Sequence, residues 1–325
     1  MLQQTQVKTV IPFWERWMRE LPTVWSLARA RTEKILKLWE GLGYYTRARN
    51  LQRAARVIVA EHGAVFPRAF DEVLALPGIG RYTAGAICSI GFDQPTPILD
   101  GNVIRILARL FGISKNPDKK ETNAMFWGLA EFLVHEADRK RQSKEQNCSH
   151  LNQALMELGA LVCTPRNPKC RSCPVRRHCV ALRENRVTEL PNRGKRVASV
   201  ERRFAAFVVE RRGRFLIRQR PAGVVNARLW EFPNVEVNGQ RLSPARLAED
   251  LFGKCRCFFQ PTREIRHNIT RYRITLSVFH AQFSGGTGGT FPKGRWCSLP
   301  ELRKLPFPSA HRKILNSLSL GRVAP

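Results

Sequence analysis

One short segment joins two apolar helical patterns and reads Leu76-Pro77-Gly78-Ile79-Gly80-Arg81-Tyr82-Thr83-Ala84-Gly85. Two glycines separated by one residue allow a tight backbone turn and a close approach to a ligand. Their amides, together with the start of the second helix, can form a small anion site. A Gly-x-Gly pair also occurs in plain helix–helix turns. The segment therefore predicts two helices joined by a turn that either binds a phosphate or only connects them.

Helical patterns surround this turn, and a different pattern follows them. Apolar spacing predicts further helices over 82–91, 102–111, 122–137 and 150–162. Residues 184–202 are polar and indicate a linker. Runs rich in Val, Ile, Phe and Thr then predict strands at Phe204–Glu210, Arg214–Arg220 and Arg273–Phe283. We expect a helical domain over 1–183, a linker over 184–202 and a smaller α+β domain over 203–320.

The composition favours a protein that binds nucleic acid. The 325 residues include 55 Lys and Arg against 26 Asp and Glu, which gives a formal net charge of +29 and a pI near 10.9. A pI above about 9 is typical of polyanion-binding domains. No apolar run approaches the roughly 18–20 residues that span a bilayer, and the N-terminus does not have the pattern of a secretory signal. We expect a cytoplasmic protein that does not associate with membranes.

Four of the nine cysteines lie in one segment, Cys163-x6-Cys170-x2-Cys173-x5-Cys179. Four thiolates at this spacing can enclose zinc or an iron–sulfur cluster, and their chemistry alone does not decide between the two. Zinc ribbons usually carry two CxxC pairs, whereas this segment has one. Four unligated thiols are the third interpretation. The other cysteines are not expected to be ligands: Cys88, Cys148, Cys255, Cys257 and Cys297.

One carboxylate precedes a predicted helix, in the string Ile98-Leu99-Asp100-Gly101-Asn102. Aspartate at such a position is a common N-cap. The local sequence alone therefore predicts that Asp100 caps the helix.

Several strings resemble those of one DNA-repair family. Leu76–Gly85 resembles a helix-hairpin-helix that binds a DNA phosphate, and the cysteine spacing matches the [4Fe–4S] loop of endonuclease III-like DNA glycosylases. Three more strings narrow the resemblance to the MutY-type adenine DNA glycosylases: Met1–Val7, Gly41–Leu51 and Asn152–Ala160. The resemblance covers residues 1 to about 183 and continues more weakly to the end.

The resemblance implies a fold, an activity and a cofactor. The fold is a mainly α helix-hairpin-helix glycosylase domain with an iron–sulfur loop at 163–179, followed by a smaller α+β Nudix-like domain. The activity is base excision repair, in which adenine mispaired with 8-oxoguanine or guanine is removed from double-stranded DNA. We also expect a monomer associated with a bacterial-type nucleoid. The implied ligands of the [4Fe–4S] cluster are Cys163, Cys170, Cys173 and Cys179.

The resemblance also assigns catalytic roles. Asp100 matches the catalytic aspartate, whose charge can stabilise the oxocarbenium-like species formed as a glycosidic bond breaks. Asn102 would orient the sugar or a water. Tyr82 stands where glycosylases with lyase activity carry a lysine that forms a Schiff base, which implies a monofunctional enzyme. The alternative for Tyr82 is a packing role at the start of a helix.

DNA contacts follow from the same resemblance. Gly78 and Gly80 would bind a phosphate. Gln4, beside Gln3, would insert into the DNA near the opposing base, and Tyr44 would stack beside it after the adenine flips out. The alternative for both glutamines is an exposed helix start. Five basic residues near the cysteines would contact phosphates or form a solvated surface: Arg166, Lys169, Arg171, Arg176 and Arg177.

The C-terminal part resembles the Nudix-like domain of the same family at Arg220-Pro221 and Leu229–Pro233. A catalytic Nudix box needs a glutamate cluster for magnesium, but Arg246–Gly253 holds one Glu-Asp pair, so pyrophosphohydrolase activity is not expected. Recognition of 8-oxoguanine is expected instead. The family's Phe-Ser-His string reads Ile269-Thr270-Arg271 here. Thr270 keeps a hydroxyl, and Arg271 would donate to guanine O6 and N7 or pair with a phosphate.

A departure from the family concerns the general acid. In the family a glutamate two residues before the methionine of the Met1–Val7 string protonates the departing adenine, and this sequence starts at that methionine. Neither Glu15 nor Glu40 is assigned the role. We therefore expect impaired excision, because a lost general acid typically costs about 10²–10⁴-fold in rate. Two alternatives remain: a catalytically inactive mispair-binding protein of the same fold, and a zinc-bound DNA-binding protein.

Overall fold

The computed structural model describes residues 1–140, 145–194, 198–237, 243–253, 259–269, 271–282 and 294–320. In these ranges the α-helices are α1 (Val7–Glu20), α2 (Val24–Arg29), α3 (Thr32–Leu38), α4 (Thr46–Glu61), α5 (Phe70–Ala75), α6 (Arg81–Ala86), α7 (Gly101–Leu110), α8 (Lys120–Arg139), α9 (Asn147–Glu157), α10 (Val180–Arg183), α11 (Pro244–Phe252), α12 (Leu299–Lys304) and α13 (Ser309–Leu320). The strands are β1 (Val200–Arg211), β2 (Arg214–Gln219), β3 (Trp230–Glu231), β4 (Asn234–Glu236), β5 (Gln260–Ile269), β6 (Tyr272–Gln282) and β7 (Arg295–Ser298). None of the helices in these ranges is both long and apolar enough to cross a membrane.

The chain forms two compact units. Unit 1 combines residues 1–60 with the described part of 197–325, and unit 2 is built from the described part of 61–196. These units follow packing in space, whereas the limits predicted above follow the change of pattern along the chain. The predicted limits of 1–183, 184–202 and 203–320 stay a prediction, although β1 already begins at Val200, inside the predicted linker.

Unit 2 has a helical core because α7, α8 and α9 each bury an apolar face. Leu107 of α7, Phe126 of α8 and Leu155 of α9 belong to one buried cluster. Two π-helical segments, Ile87–Gly91 and Leu158–Val162, directly continue α6 and α9. Such segments are rare and often lie near functional sites.

Unit 1 has a helical part and a sheet. Trp17, Ile35 and Trp39 lie in the core of the helical part, and Leu229 from the segment before β3 belongs to the same cluster. The sheet order is β3-β2-β1-β6-β5, with β4 paired to β1 and β7 to β2. β1 and β6 are parallel, and the other pairs are antiparallel. One face of the sheet packs against α11, and the other packs against α12 and α13.

The predicted change from helices to a mixed α+β part is confirmed. The helix predicted over 82–91 is α6 continued by a π-helical segment, and 102–111, 122–137 and 150–162 correspond to α7, α8 and α9 with its π-helical continuation. The sequence pattern missed β5, because Ile265 is the one fully buried residue of that strand. The last residue of the third predicted strand, Phe283, lies outside the described residues.

Candidate active site and DNA-contacting surfaces

The glycine turn precedes α6 and faces open space. Gly78 has a left-handed backbone with φ of +84°, whereas Gly80 is extended and caps the start of α6. Both glycines are exposed, and a Cβ built on Gly80 meets nothing within 4 Å. The turn therefore leaves room for a ligand to approach the backbone.

Asp100 caps α7, as its local sequence predicts. Its Oδ1 accepts hydrogen bonds from the backbone N–H groups of Asn102 and Val103, each at 2.8 Å. Its Oδ2 accepts a hydrogen bond from Asn102 Nδ2 at 3.2 Å. The carboxylate is half-buried at the positive end of a ten-residue helix, which favours negative charge.

Tyr82 of α6 lies within electrostatic reach of this carboxylate. Burial, and to a smaller degree the negative charge of Asp100, raises the pKa of Tyr82. Its ring packs against the apolar core of unit 2. The structure thus brings together the three predicted catalytic residues, Asp100, Asn102 and Tyr82.

Two glycines let the backbone pack closely around Asp100. A Cβ on Gly85 would lie 2.0 Å from the carbonyl oxygen of Pro97, in the segment that leads to Asp100. A Cβ on Gly159 would lie 2.7 Å from the Cβ of Asn102. Real Cβ atoms do not approach that closely, so both positions require glycine.

The buried guanidinium of Arg105 connects the surroundings of Asp100 with the cysteine segment. Its Nη2 donates to Asn102 Oδ1 at 2.9 Å and to the Gly159 carbonyl at 2.7 Å. Its Nε donates to the Cys163 carbonyl at 2.7 Å. A continuous set of hydrogen bonds therefore runs from the Asp100 carboxylate to the first cysteine.

The four predicted cysteine ligands line one cavity: Cys163, Cys170, Cys173 and Cys179. Burial, with the negative charges of the neighbouring thiolates, raises the pKa of the Cys170 thiol. Arg109 Nη1 donates to the Cys163 sulfur at 3.3 Å. Four soft donors with a guanidinium beside them fit an anionic iron–sulfur cluster. No group of three or more Cys, His, Asp or Glu side chains within the described ranges forms a site for a single metal ion.

The five basic side chains that the sequence predicts beside the cysteines are exposed, unlike the buried Arg105 and Arg109. The exposed set is Arg166, Lys169, Arg171, Arg176 and Arg177. Their exposure agrees with either predicted role, phosphate contact or a solvated surface.

In unit 1, Arg47 connects the two predicted DNA-inserting segments. Its Nη1 donates to the carbonyls of Met1 and Gln3, and its Nη2 donates to the Leu42 carbonyl at 3.2 Å. Its guanidinium also lies 5.5 Å from the ring centroid of Tyr44. Gln3, Gln4 and Tyr44 are exposed, and the Tyr44 side chain keeps 51% of its surface accessible.

Of the two predicted lesion-reading residues, Arg271 directly precedes β6. Thr270 falls outside the described residues. The exposed Arg271 donates to the Tyr272 hydroxyl at 3.1 Å and lies 5.2 Å from that ring's centroid. Glu249 of α11, where a Nudix box would place its carboxylates, is exposed. No cation site is formed there by the described side chains.

These features define a helix-hairpin-helix protein of base excision DNA repair. Residues 1–132 match the HhH-GPD superfamily of base excision DNA repair proteins, and residues 205–317 match the NUDIX domain. A solved thermostable thymine-DNA glycosylase aligns with 56% of this chain and 80% of its own, with 26% identity and a TM-score of 0.49.

The chain belongs to the adenine DNA glycosylase family. It is 36% identical over 365 residues to the adenine DNA glycosylase of Rattus norvegicus, and the aligned region covers 97% of this chain and 69% of the rat protein. The adenine DNA glycosylase of Buchnera aphidicola subsp. Schizaphis graminum is 37% identical over 322 residues, covering 97% and 88% respectively. The protein is therefore a DNA glycosylase of base excision repair.

Three arginines of these sites escaped prediction. Arg105 and Arg109 interrupt an otherwise apolar run, Val103 to Leu110, and a charge on the buried face of a helix is the signal that could have identified them. Arg47 lies within the Gly41–Leu51 string, where nothing in the pattern distinguishes it from neighbouring arginines.

Proposed function

We propose that this protein hydrolyses the N-glycosidic bond of adenine mispaired with 8-oxoguanine, or with guanine, in double-stranded DNA, without cutting the strand. The observation that carries the proposal is the Asp100 carboxylate, fixed at the start of α7 by three hydrogen bonds. The similarity to adenine DNA glycosylases supports adenine as the base removed.

The arrangement suits a reaction in which positive charge develops on the sugar. As the bond between C1′ and the base breaks, the sugar becomes oxocarbenium-like, and a fixed negative charge nearby stabilises it. Asn102 keeps the Asp100 carboxylate in one orientation, and Arg105 in turn keeps the Asn102 amide in place. The base leaves with the electron pair of the broken bond, water adds to C1′, and the proton that this water loses is balanced by the proton that the base nitrogen takes up from solvent.

Tyr82 accounts for the absence of strand cleavage. A lyase forms a Schiff base through an amine, and a phenol cannot do so. The Tyr82 hydroxyl is protonated at neutral pH, and burial raises its pKa further above the ordinary tyrosine value. It can therefore donate a hydrogen bond but cannot attack the sugar as an amine would.

DNA contacts are proposed at both units. The exposed turn at Gly78 and Gly80 would bind a phosphate through backbone amides. Gln4 and Tyr44 would fill the space left by the flipped base. Arg271 would donate to the opposing purine from the connection between β5 and β6, together with Thr270.

Cys163, Cys170, Cys173 and Cys179 would hold a [4Fe–4S] cluster. When bound, the cluster links the four cysteines and so fixes the geometry of their loop. Iron and zinc analysis of the purified protein decides between the two metals. We expect about four iron atoms per chain, with absorption near 400 nm, whereas one zinc per chain and no such absorption would contradict the assignment.

A single-turnover assay tests the proposed reaction. Duplexes with adenine opposite 8-oxoguanine, guanine or thymine are incubated with excess protein, and each sample is divided before alkali treatment. We expect strand breaks only after alkali, and only for the first two duplexes. Breaks without alkali would show lyase chemistry and contradict the role given to Tyr82.

A further inference from the structure

The loop that carries Tyr44 has a backbone that its own sequence does not stabilise well. Gly41, Gly43 and Tyr44 all have left-handed backbones, with φ of +110°, +69° and +46°. Glycine adopts such angles freely and therefore specifies no single conformation. Tyrosine adopts them at an energetic cost that surrounding structure must offset. The orientation of the exposed Tyr44 ring therefore depends on contacts from outside the loop.

Two residues that flank this loop form hydrogen bonds with the backbone of one residue in the C-terminal part, Phe307. Glu40, just before the loop, accepts the Phe307 N–H at 2.9 Å. Tyr45, just after Tyr44, donates its hydroxyl to the Phe307 carbonyl at 3.2 Å, and this hydroxyl also accepts the Gly41 N–H at 3.4 Å. We call this set of contacts the Phe307 bridge. It joins both ends of the loop to one residue more than 260 positions away.

Each member of the bridge is firmly held. Burial raises the pKa of Tyr45 to about 12, so its hydroxyl stays a donor. The Glu40 side chain is 11% exposed and lies between the cations Lys37 and Arg312. Phe307 is fully buried, with its ring centroid 5.9 Å from that of Phe232 in the core beneath the sheet.

We propose that Glu40 and Tyr45 are positioning residues through which the C-terminal part sets the orientation of Tyr44 in the DNA. The inference rests on the proposed function, in which the C-terminal part recognises the base opposite adenine and Tyr44 stacks beside it. When the C-terminal part is bound to 8-oxoguanine, the Phe307 bridge holds the Tyr44 loop in the conformation that inserts into DNA. On a duplex with adenine opposite thymine, the C-terminal part does not bind the opposing base, so the conformation of the Tyr44 loop is less restricted.

The chain offers a control contact of the same kind. Trp230 Nε1 donates to Glu33 Oε1 at 2.7 Å and also joins the helical part to the C-terminal part. That contact lies at the start of α3, away from the Tyr44 loop. Trp230→Phe removes this side-chain donor and therefore weakens the association of the two parts. It keeps the Trp230 backbone N–H, which donates to the Pro306 carbonyl beside Phe307 at 2.9 Å, so the Phe307 bridge itself is left in place.

The test compares wild-type protein, Tyr45→Phe and Trp230→Phe. The probe duplexes carry 2′-fluoro-deoxyadenosine, which resists hydrolysis, opposite 8-oxoguanine or thymine. Fluorescence anisotropy gives the ratio of the Kd for the thymine duplex to the Kd for the 8-oxoguanine duplex. The fluorescence of 2-aminopurine placed beside the mispair reports unstacking of the DNA at saturating protein. Loss of the Tyr45 hydroxyl should lower the ratio about fivefold, as expected for one or two hydrogen bonds, and reduce the 2-aminopurine signal. Trp230→Phe should leave both unchanged.

A second pair of variants guards against misfolding. Glu40→Gln keeps an oxygen acceptor for the Phe307 N–H and should retain the wild-type ratio, whereas Glu40→Ala should lower it like Tyr45→Phe. Thermal unfolding of each variant confirms that it folds.

Three results would overturn the inference in distinguishable ways. A wild-type protein without preference for the 8-oxoguanine duplex would overturn the proposed function and the inference with it. A wild-type preference that Tyr45→Phe retains in full would overturn the inference alone. An equal loss in Tyr45→Phe and Trp230→Phe would show a general effect of docking and also overturn the positioning role.

Discussion

The surroundings of Asp100 and the loop that carries Tyr44 are held in place by different means. Asp100 is fixed by its own helix and by close packing at Gly85, Gly159 and Arg105. Tyr44 is exposed and lies in a left-handed backbone. Arg47 lies beside its ring, and the Phe307 bridge holds the ends of its loop. The comparison teaches that the group proposed for chemistry is fixed directly by hydrogen bonds and dense packing, whereas the ring proposed to enter DNA stays exposed and is placed through contacts to its loop.

The largest expected effect tests the dense packing. In Gly85→Ala the new Cβ would lie 2.0 Å from the Pro97 carbonyl oxygen, so the segment before Asp100 must shift. We expect the free energy of unfolding to fall by about 3 kcal/mol in urea denaturation. Gly91→Ala is the matched control, because its Cβ would meet nothing within 4 Å and should change stability by less than about 1 kcal/mol. Equal effects of the two changes would contradict the packing account.

The next effect concerns the buried guanidinium. Arg105→Met keeps the bulk but leaves the carbonyls of Gly159 and Cys163 without this donor. We expect a loss of about 2 kcal/mol in the free energy of unfolding, together with lower iron content. Arg139→Met serves as control, because Arg139 is exposed and its ion pair within the described ranges is with the nearby Glu136 on α8, so less than about 0.5 kcal/mol is expected. An Arg105→Met protein as stable as the control variant would disprove the linking role.

A pH titration extends the comparison to the core beneath the sheet. Burial lowers the pKa of His311 to about 4, while the unfolded chain keeps the ordinary value near 6.5. Stability from this group is present above about pH 6.5 and is lost as the pH falls toward 4, by about 1.4 kcal/mol per unit. His311→Gln should reduce the slope of unfolding free energy against pH, whereas His178→Gln, at an exposed position, should not. Identical slopes in wild-type protein, His311→Gln and His178→Gln would rule out His311 as the source of this pH dependence.

The smallest effect on stability belongs to the exposed ring. Tyr44→Ala removes a side chain that is 51% exposed, so the free energy of unfolding should change by less than about 0.5 kcal/mol. The same change should weaken binding to the mispair duplex by about 1–3 kcal/mol, the usual contribution of one stacked base. Calorimetry and anisotropy together measure both quantities. If Tyr44→Ala strongly lowered the free energy of unfolding and left the DNA affinity unchanged, Tyr44 would be a packing residue and not a DNA-contacting one.

How far the sequence could predict these features depends on the range of the contacts involved. The cap at Asp100 and the shared cavity of the four cysteines follow from short spacings, and the structure has both. The π-helical segments could not be predicted from local spacing, and one of them makes a close approach between distant parts of the chain, that of Gly159 to Asn102. The parallel pairing of β1 with β6 also joins distant segments of the chain.

The Phe307 bridge shows the same limit. The Gly41–Leu51 string was recognised as a motif, but neither Glu40 nor Tyr45 carries a sign of a partner at position 307. Buried charges are the clearest missed signal, since Arg105 and Arg109 stand in the apolar run of a predicted helix, 102–111, and both are buried.

Base release by wild-type protein and Asp100→Asn tests the central claim most directly. Asparagine caps a helix about as well as aspartate, so the variant should fold and bind the duplex with adenine opposite 8-oxoguanine normally. Without the negative charge, single-turnover release of adenine should fall by about 10²–10³-fold. Release at the wild-type rate by Asp100→Asn would contradict the account, because Asp100 would then be only a cap.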